Sequence, residues 1–166
     1  MNGDTLRAAR SLLEGAFGPD MTVHDWDHCL GGIHALVWEG PELVGHGSVV
    51  ERRLLHAGSS LRTGYVEGLA VREDRRGKGH GAAIMTALEG VVRGRYEIGA
   101  LSSTEAALDF YVARGWTLWQ GPLSAITPGG IKRTPGDDGS MFVLPVSARV
   151  DISGELTCDW REGDLW

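Results

Sequence analysis

Apolar side chains recur along this chain in two periods, and the changes from one to the other mark its elements. Leu6, Ala9, Leu13, Ala16 and Phe17 fall at helical spacing and predict a first helix, capped by Asp4 or Thr5 and stopped by Gly18-Pro19. Thr22 reads as the cap of a shorter second helix carrying Trp26 and Leu30 and closed by Gly31-Gly32. Residues 33–38 and 43–55 are rich in β-branched and apolar side chains around Glu39-Gly40-Pro41-Glu42, the pattern of an antiparallel hairpin. A third strand follows a turn at 57–60 and runs into Tyr65-Val66-Glu67-Gly68-Leu69-Ala70-Val71.

That strand opens the most informative stretch. It passes into Arg75-Arg76-Gly77-Lys78-Gly79-His80-Gly81 and then into a helix whose stripe is expected to be Ile84, Ala87, Leu88 and Val91. Glycines let a backbone approach an anion closely, and the first N–H groups of a helix lack intrahelical partners, so strand, turn and helix in this order build a phosphate cradle. Beyond it, residues 97–101 predict a short strand, 104–114 a helix closed by Gly115, and 116–119 and 141–146 two further strands. The Gly, Pro and Asp content of 128–139 predicts a mobile surface loop. The expected fold class is therefore a mixed α/β sheet, with parallel pairing only around the long helix, the one connection long enough for a crossover.

Composition narrows the partners. With 166 residues, of which 42% are hydrophobic, the chain suits a single domain spanning 1–166. A formal charge of −6 argues against a general nucleic-acid binder and suits a cationic partner. Cys29 and Cys158 match no metal-ligand or redox spacing and are expected to be reduced and structural. The N-terminus lacks the basic and apolar sections of a signal peptide, and no apolar run is long enough to span a bilayer, so the expectation is a cytoplasmic protein with no membrane partner.

Residue types decide whose phosphate the turn holds. A nucleotide P-loop requires Ser or Thr after its lysine, but Lys78 precedes Gly79, and Gly77, Gly79 and Gly81 lack the dinucleotide-binding spacing. Arg76-x-x-Gly79-x-Gly81 after a strand resembles the acetyl-coenzyme A loop of the GCN5-related N-acetyltransferases (GNAT). The resemblance implies a GNAT fold, with a central, mostly antiparallel sheet splayed at the acetyl-CoA slot and flanked by helices. It implies acetyl-CoA as cosubstrate and no metal. Carried onto this chain, the backbone of Leu69, Ala70 and Val71 holds the pantetheine and thioester. The N–H groups of Arg76, Gly77, Lys78, Gly79, His80, Gly81 and Ala82 hold the pyrophosphate, with Arg75 or Lys78 screening its charge. Phe110-Tyr111-Val112-Ala113-Arg114-Gly115-Trp116 resembles the family's second signature, which implies Tyr111 as the general acid that protonates the departing thiolate. Ser102 and Ser103 offer hydroxyls to pantetheine or acceptor, or a cap to the following helix.

Much of the chain is similar to a closer group, the aminoglycoside 2'-N-acetyltransferases. The likeness lies in Gly15-Ala16-Phe17 near Asp20, Leu30-Gly31-Gly32, Gly64 to Gly68, Gly99 to Ser103, Arg114-Gly115-Trp116, Asp137-Asp138-Gly139 and the Cys158 to Trp166 ending. It implies an aminoglycoside pocket lined by Asp20, Glu67, Asp137 and Asp164, the Gly68 backbone and the carboxylate of Trp166, with Ser102 placed to contact the acceptor; from the sequence itself, Asp159 and Glu162 crowd the C-terminus with Asp164 and would add to the attraction of a polycation if the acids converge. It also implies acetyl transfer to a 2'-amino group, antibiotic resistance and a homodimer. Only a neutral amine attacks a thioester, so a base is needed: Glu67, directly or through water, or else the Trp166 carboxylate. The Leu69 N–H is the candidate for stabilising charge on the acyl oxygen. His34, His46 and His80 offer further bases, though their strand or loop contexts favour packing or surface roles, and Cys29 is not expected to be a nucleophile because nothing near it in the sequence suggests an activating partner. Direct transfer in a ternary complex follows. The competing readings are a GNAT enzyme acting on a polyamine, peptide amino terminus or lysine, and a binding module without chemistry.

Overall fold

The computed structural model describes Met1–Trp166, which form two compact units, residues 1–50 with 66–91 and residues 51–65 with 92–166. In the first unit, helix α1 (Gly3–Phe17) is capped by Asn2, whose side chain accepts the Thr5 N–H at 2.9 Å. The cap thus precedes the expected Asp4 or Thr5, because Asn2 already satisfies a free donor of the first turn and leaves Asp4 to face the positive helix end. Helix α2 (Val23–Cys29) begins as expected at Thr22, which exchanges bonds with Asp25 in a capping box. Ala9, Leu12, Leu13, Trp26 and Cys29 from the two helices pack with Leu43 and Ala70 into one apolar cluster.

Strand β1 (Ile33–Glu39) pairs antiparallel with the first part of β2 (Glu42–His56), Ile33 opposite Val49, with a shift in register at Val37/Trp38. Gly45 and Gly47 of β2 lie on the face that receives helix α3 (His80–Arg95), where a Cβ on either would come within 2.8 Å of Ile84. Side chains alternate along a strand, so the glycines clear one face while Val44, His46 and Ser48 are buried on the other. The buried stripe of α3 is Ile84, Met85, Leu88 and Val92. Ala87, expected there, is exposed, and Val91 is half-buried. Both sets share Ile84 and Leu88, and the helix turns toward the set with the larger apolar surface.

The second unit takes in the end of β2, the start of β3 (Ser59–Val71), β4 (Ile98–Ser102), α4 (Leu108–Ala113), β5 (Thr117–Leu118), β6 (Leu123–Thr127), β7 (Gly130–Arg133), β8 (Met141–Pro145) and β9 (Leu156–Cys158). Its strand order is β5-β8-β4-β3-β2-β9-β6-β7. The β2–β3 turn is Ala57-Gly58, both with positive φ (49° and 79°), which matches the twist of the strands it joins. β3 pairs parallel with β4, Thr63 opposite Ile98, across the helical crossover. A second parallel pair, β6 with β9, corrects the expectation of only one, since the chain between them is itself long enough to return in the same direction.

Residues 128–139 are likewise not a mobile loop. They contain β7, paired antiparallel with β6, and a single helical turn at Pro135–Asp137. Asp138 fixes the segment by accepting the Leu123 N–H at 3.0 Å and pairing with Arg133 at 2.8 Å. Cys29 and Cys158 form no disulfide and are both buried, and burial pushes the Cys158 thiol up to about 11. No helix is long and apolar enough to cross a membrane.

Candidate functional site

The glycine turn owes its shape to backbone conformation. Gly77 (φ 74°) and Gly79 (φ 82°) sit where side chains are strained, and nothing lies within 4 Å of where their Cβ atoms would be. Glycine is thus required by the turn itself, and the space beside it is open. The Ala83 N–H closes a helical bond on the Gly79 carbonyl at 3.0 Å. Helix geometry leaves the preceding N–H groups, those of His80, Gly81 and Ala82, without intrahelical acceptors.

Glu39, at the end of β1, ties this turn down. It accepts from Arg75 Nε at 2.7 Å and contacts His80 Nε2 at 3.0 Å, and these two bonds hold its carboxyl below the usual range. Arg75 also reaches Asp74 at 2.7 Å, and Arg76 Nε donates to the Val71 carbonyl at 3.1 Å. Of the two residues expected to screen a pyrophosphate, Arg75 is therefore committed to carboxylates, which leaves Lys78.

Upstream, Gly68 interrupts β3 with a φ of 57°, and a Cβ there would lie 2.6 Å from Cys29 Sγ. Its neighbours Glu67 and Leu69 are half-buried. Ser48 Oγ donates to the Glu67 carbonyl at 3.3 Å, and His46 Nδ1 lies 2.8 Å from the Gly68 carbonyl. A carbonyl only accepts, so His46 carries its hydrogen on Nδ1, and its Nε2 accepts from His34 Nδ1 at 2.9 Å. His46 is fully buried, a packing role more constrained than the sequence suggested.

Burial, the largest cause, lowers the pKa of both rings; the neighbouring His46 lowers His34 further, while the Gly68 carbonyl partly opposes the shift of His46. The unfolded chain binds protons on these rings from about pH 6.5 downward. The folded pair resists them, so its contribution to stability is complete above that pH and is lost as pH falls. Calorimetry is expected to show the unfolding midpoint dropping as pH falls below about 6.5, with a flatter profile for His34→Asn and His46→Asn.

In the second unit, Tyr111 on α4 is buried among Phe110, Trp116 and Phe142, with ring centroids 5.1, 6.4 and 5.6 Å away. Burial pushes its phenol up to about 12, so it holds its proton across the neutral range. Ser102 is exposed, with its hydroxyl 3.5 Å from that of Ser140, and Ser103 donates to the Thr104 carbonyl instead of capping a helix.

The acidic residues divide into two sets. Asp159 accepts from Arg52 Nε at 2.8 Å and from the Arg53 N–H at 3.1 Å, so with Asp138 it serves the fold. Asp137 and Asp164 are neighbours in a different sense. Burial raises the pKa of Asp137, its bond with Thr134 opposes this, and the charge of Asp164 adds to the rise. Thr134 Oγ1 also accepts the indole N–H of buried Trp166 at 2.9 Å. Arg161 donates to the Asp164 carbonyl at 2.6 Å and to the Trp166 main-chain oxygen at 2.9 Å, with its guanidinium 5.4 Å from the Tyr65 ring centre. Asp137, Asp164 and Trp166 are thus brought together. Asp20 is exposed in the turn after α1. Thr134, Arg161 and Glu39 received no site role from the sequence, and His46 only that of a candidate base; of the first three only Arg161, inside the Cys158 to Trp166 ending, carried a signal.

The model of the acetyltransferase (GNAT) family matches residues 6–116. The chain belongs to this family. It is 47% identical over its whole length to the aminoglycoside 2'-N-acetyltransferase of Mycolicibacterium fortuitum, covering 87% of that protein. Among solved structures, the GNAT protein YhbS of Escherichia coli, in complex with CoA, shares the fold at TM-score 0.65 and 17% identity, over 95% of this chain and 86% of that one. Eis1 of Mycobacterium abscessus matches 75% of this chain at TM-score 0.63 and 18% identity, and this chain spans 32% of its length. The GNAT chain is an acetyl-CoA-dependent N-acetyltransferase. Its open glycine turn, its helix-opening N–H groups and Lys78 fit the diphosphate of that coenzyme.

Proposed function

We propose that this enzyme acetylates the 2'-amino group of aminoglycoside antibiotics, and so confers resistance to them, acting as one catalytic domain over residues 1–166. The observation that carries the reading is the gathering of Asp137, Asp164 and Trp166 around Thr134 and Arg161, an acidic, partly buried surface suited to a compact polycation. The name of the Mycolicibacterium fortuitum relative supports the position on the sugar.

Bound acetyl-CoA supplies an activated acyl group as a thioester. Backbone groups of Leu69, Ala70 and Val71 hold its pantetheine arm, and those of residues 76–82 its diphosphate. Asp20, Gly68, Asp137, Asp164 and Trp166 hold the aminoglycoside, with Ser102 as a further hydroxyl contact. Glu67 takes the proton from the amine. Arg161 already donates to the Trp166 oxygen at 2.9 Å, which favours binding over proton transfer for Trp166. The Leu69 N–H stabilises charge on the acyl oxygen, and the buried phenol of Tyr111 protonates the departing sulfur. A cytoplasmic location and a homodimer complete the proposal, the latter checked by light scattering.

The deciding experiment compares a kanamycin-type compound bearing a 2'-amine with its 2'-hydroxyl counterpart in an acetyl-transfer assay. Turnover is expected only with the amine. Equal rates, or turnover of polyamines and lysine peptides alone, would give the enzyme to another amine.

A further inference from the structure

We infer that His46, held in its tautomer by His34, is a positioning residue for the Leu69 N–H. The inference rests on the proposed role of that N–H, and it begins from peptide geometry. The carbonyl of Gly68 and the N–H of Leu69 belong to one planar group, and no peptide bond in the chain is cis, so the two point in opposite directions. Whatever grips the Gly68 carbonyl therefore aims the Leu69 N–H. His46 does so at 2.8 Å from β2.

The neighbouring peptide is treated in the same way. Ser48, two residues along β2 on the same face as His46, donates to the Glu67 carbonyl at 3.3 Å, which aims the Gly68 N–H. In a regular strand successive carbonyls point to opposite sides, yet here both are taken by side chains of β2. The left-handed backbone of Gly68 is what permits it, and the consequence is two successive N–H groups turned away from β2 together. Such a pair is a preorganised anion binder.

His46 is fully buried, and the groups a Gly68 Cβ would meet, Cys29 Sγ and Leu13, belong to an apolar cluster. Imidazole in such surroundings is costly to desolvate unless both nitrogens are bonded, and both are. The chain of bonds ends in a carbonyl, which has no proton to exchange. It therefore does not conduct protons toward Glu67, and orientation is what it delivers.

The test compares His46→Phe, which fills the space without a donor, with His46→Asn, whose amide nitrogen occupies the place of Nδ1. His46→Phe is expected to lower kcat about 100-fold with an unchanged KM for acetyl-CoA, and His46→Asn to restore most of it. Unchanged kcat in His46→Phe, or equal loss in two variants that both unfold at the wild-type temperature, would overturn the inference. Should His46→Phe not fold, nitrogen NMR of the wild-type imidazoles decides: the Nδ1–H tautomer at neutral pH supports the assignment, and the Nε2–H tautomer removes it. If the wild-type enzyme turns over no 2'-amino aminoglycoside, the substrate reading fails, while the tautomer still decides the placement of His46.

Discussion

Replacing Tyr111 by Phe is expected to lower kcat by about 100- to 1,000-fold, the range of a lost general acid, while acetyl-CoA binds as before. The substitution removes one oxygen from a ring wedged among Phe110, Trp116 and Phe142, so the packing survives and the loss reports on proton donation. Because burial pushes the phenol up to about 12, the wild-type rate is expected to show no decline assignable to Tyr111 from neutral to mildly alkaline pH. Stopped assays of turnover, together with calorimetry of coenzyme binding, separate the two quantities. A variant with normal kcat would deprive Tyr111 of its role.

The second large effect concerns the amine. An aminoglycoside amine is mostly protonated at neutral pH, and the attacking species must first lose that proton. Glu67→Gln is expected to lower kcat/KM about 100-fold near pH 7, with the deficit shrinking toward higher pH as free amine forms without help. Rate profiles of wild type and variant should therefore converge on the alkaline side. A deficit that stays constant with pH would point to lost substrate binding, and no deficit at all would move the base elsewhere.

The parts of the fold that the sequence revealed are those whose signal is local. Thr22 with Asp25 three residues on announces a helix start, and Gly77 and Gly79 announce a turn that only positive φ allows. Strands β6, β7 and β9 left no such trace. β9 has three residues, and β7 is exposed along its whole length, so neither shows alternation; both exist because β6 lies between them and pairs with each. The same limit applied to the site. Residue type and order, with the resemblance they carry, singled out the glycine turn, Tyr111 and the acidic residues as candidates. Which carboxylates are free to bind a cation depends on long-range partners: Asp159 is taken by Arg52, more than a hundred residues earlier in the chain, whereas Asp137 shares its surroundings with Asp164 and Thr134. The role of His46 is set by a carbonyl 22 residues away.

The two inner glycines of β2 limit this enzyme's tolerance to change. Ile84 rests on them one turn inside the helix whose opening amides are proposed to receive the coenzyme's phosphates. A methyl group at position 47 would fall 2.8 Å from Ile84 Cγ2, close to the helix backbone, and is expected to act as a shim beneath its first turns, whereas at position 45 it meets the movable tip of Ile84. The bulk of a side chain that meets no ligand is thereby converted into an error in aim at the phosphates. A change at position 47 is therefore expected to weaken coenzyme binding much as a change in the turn itself would.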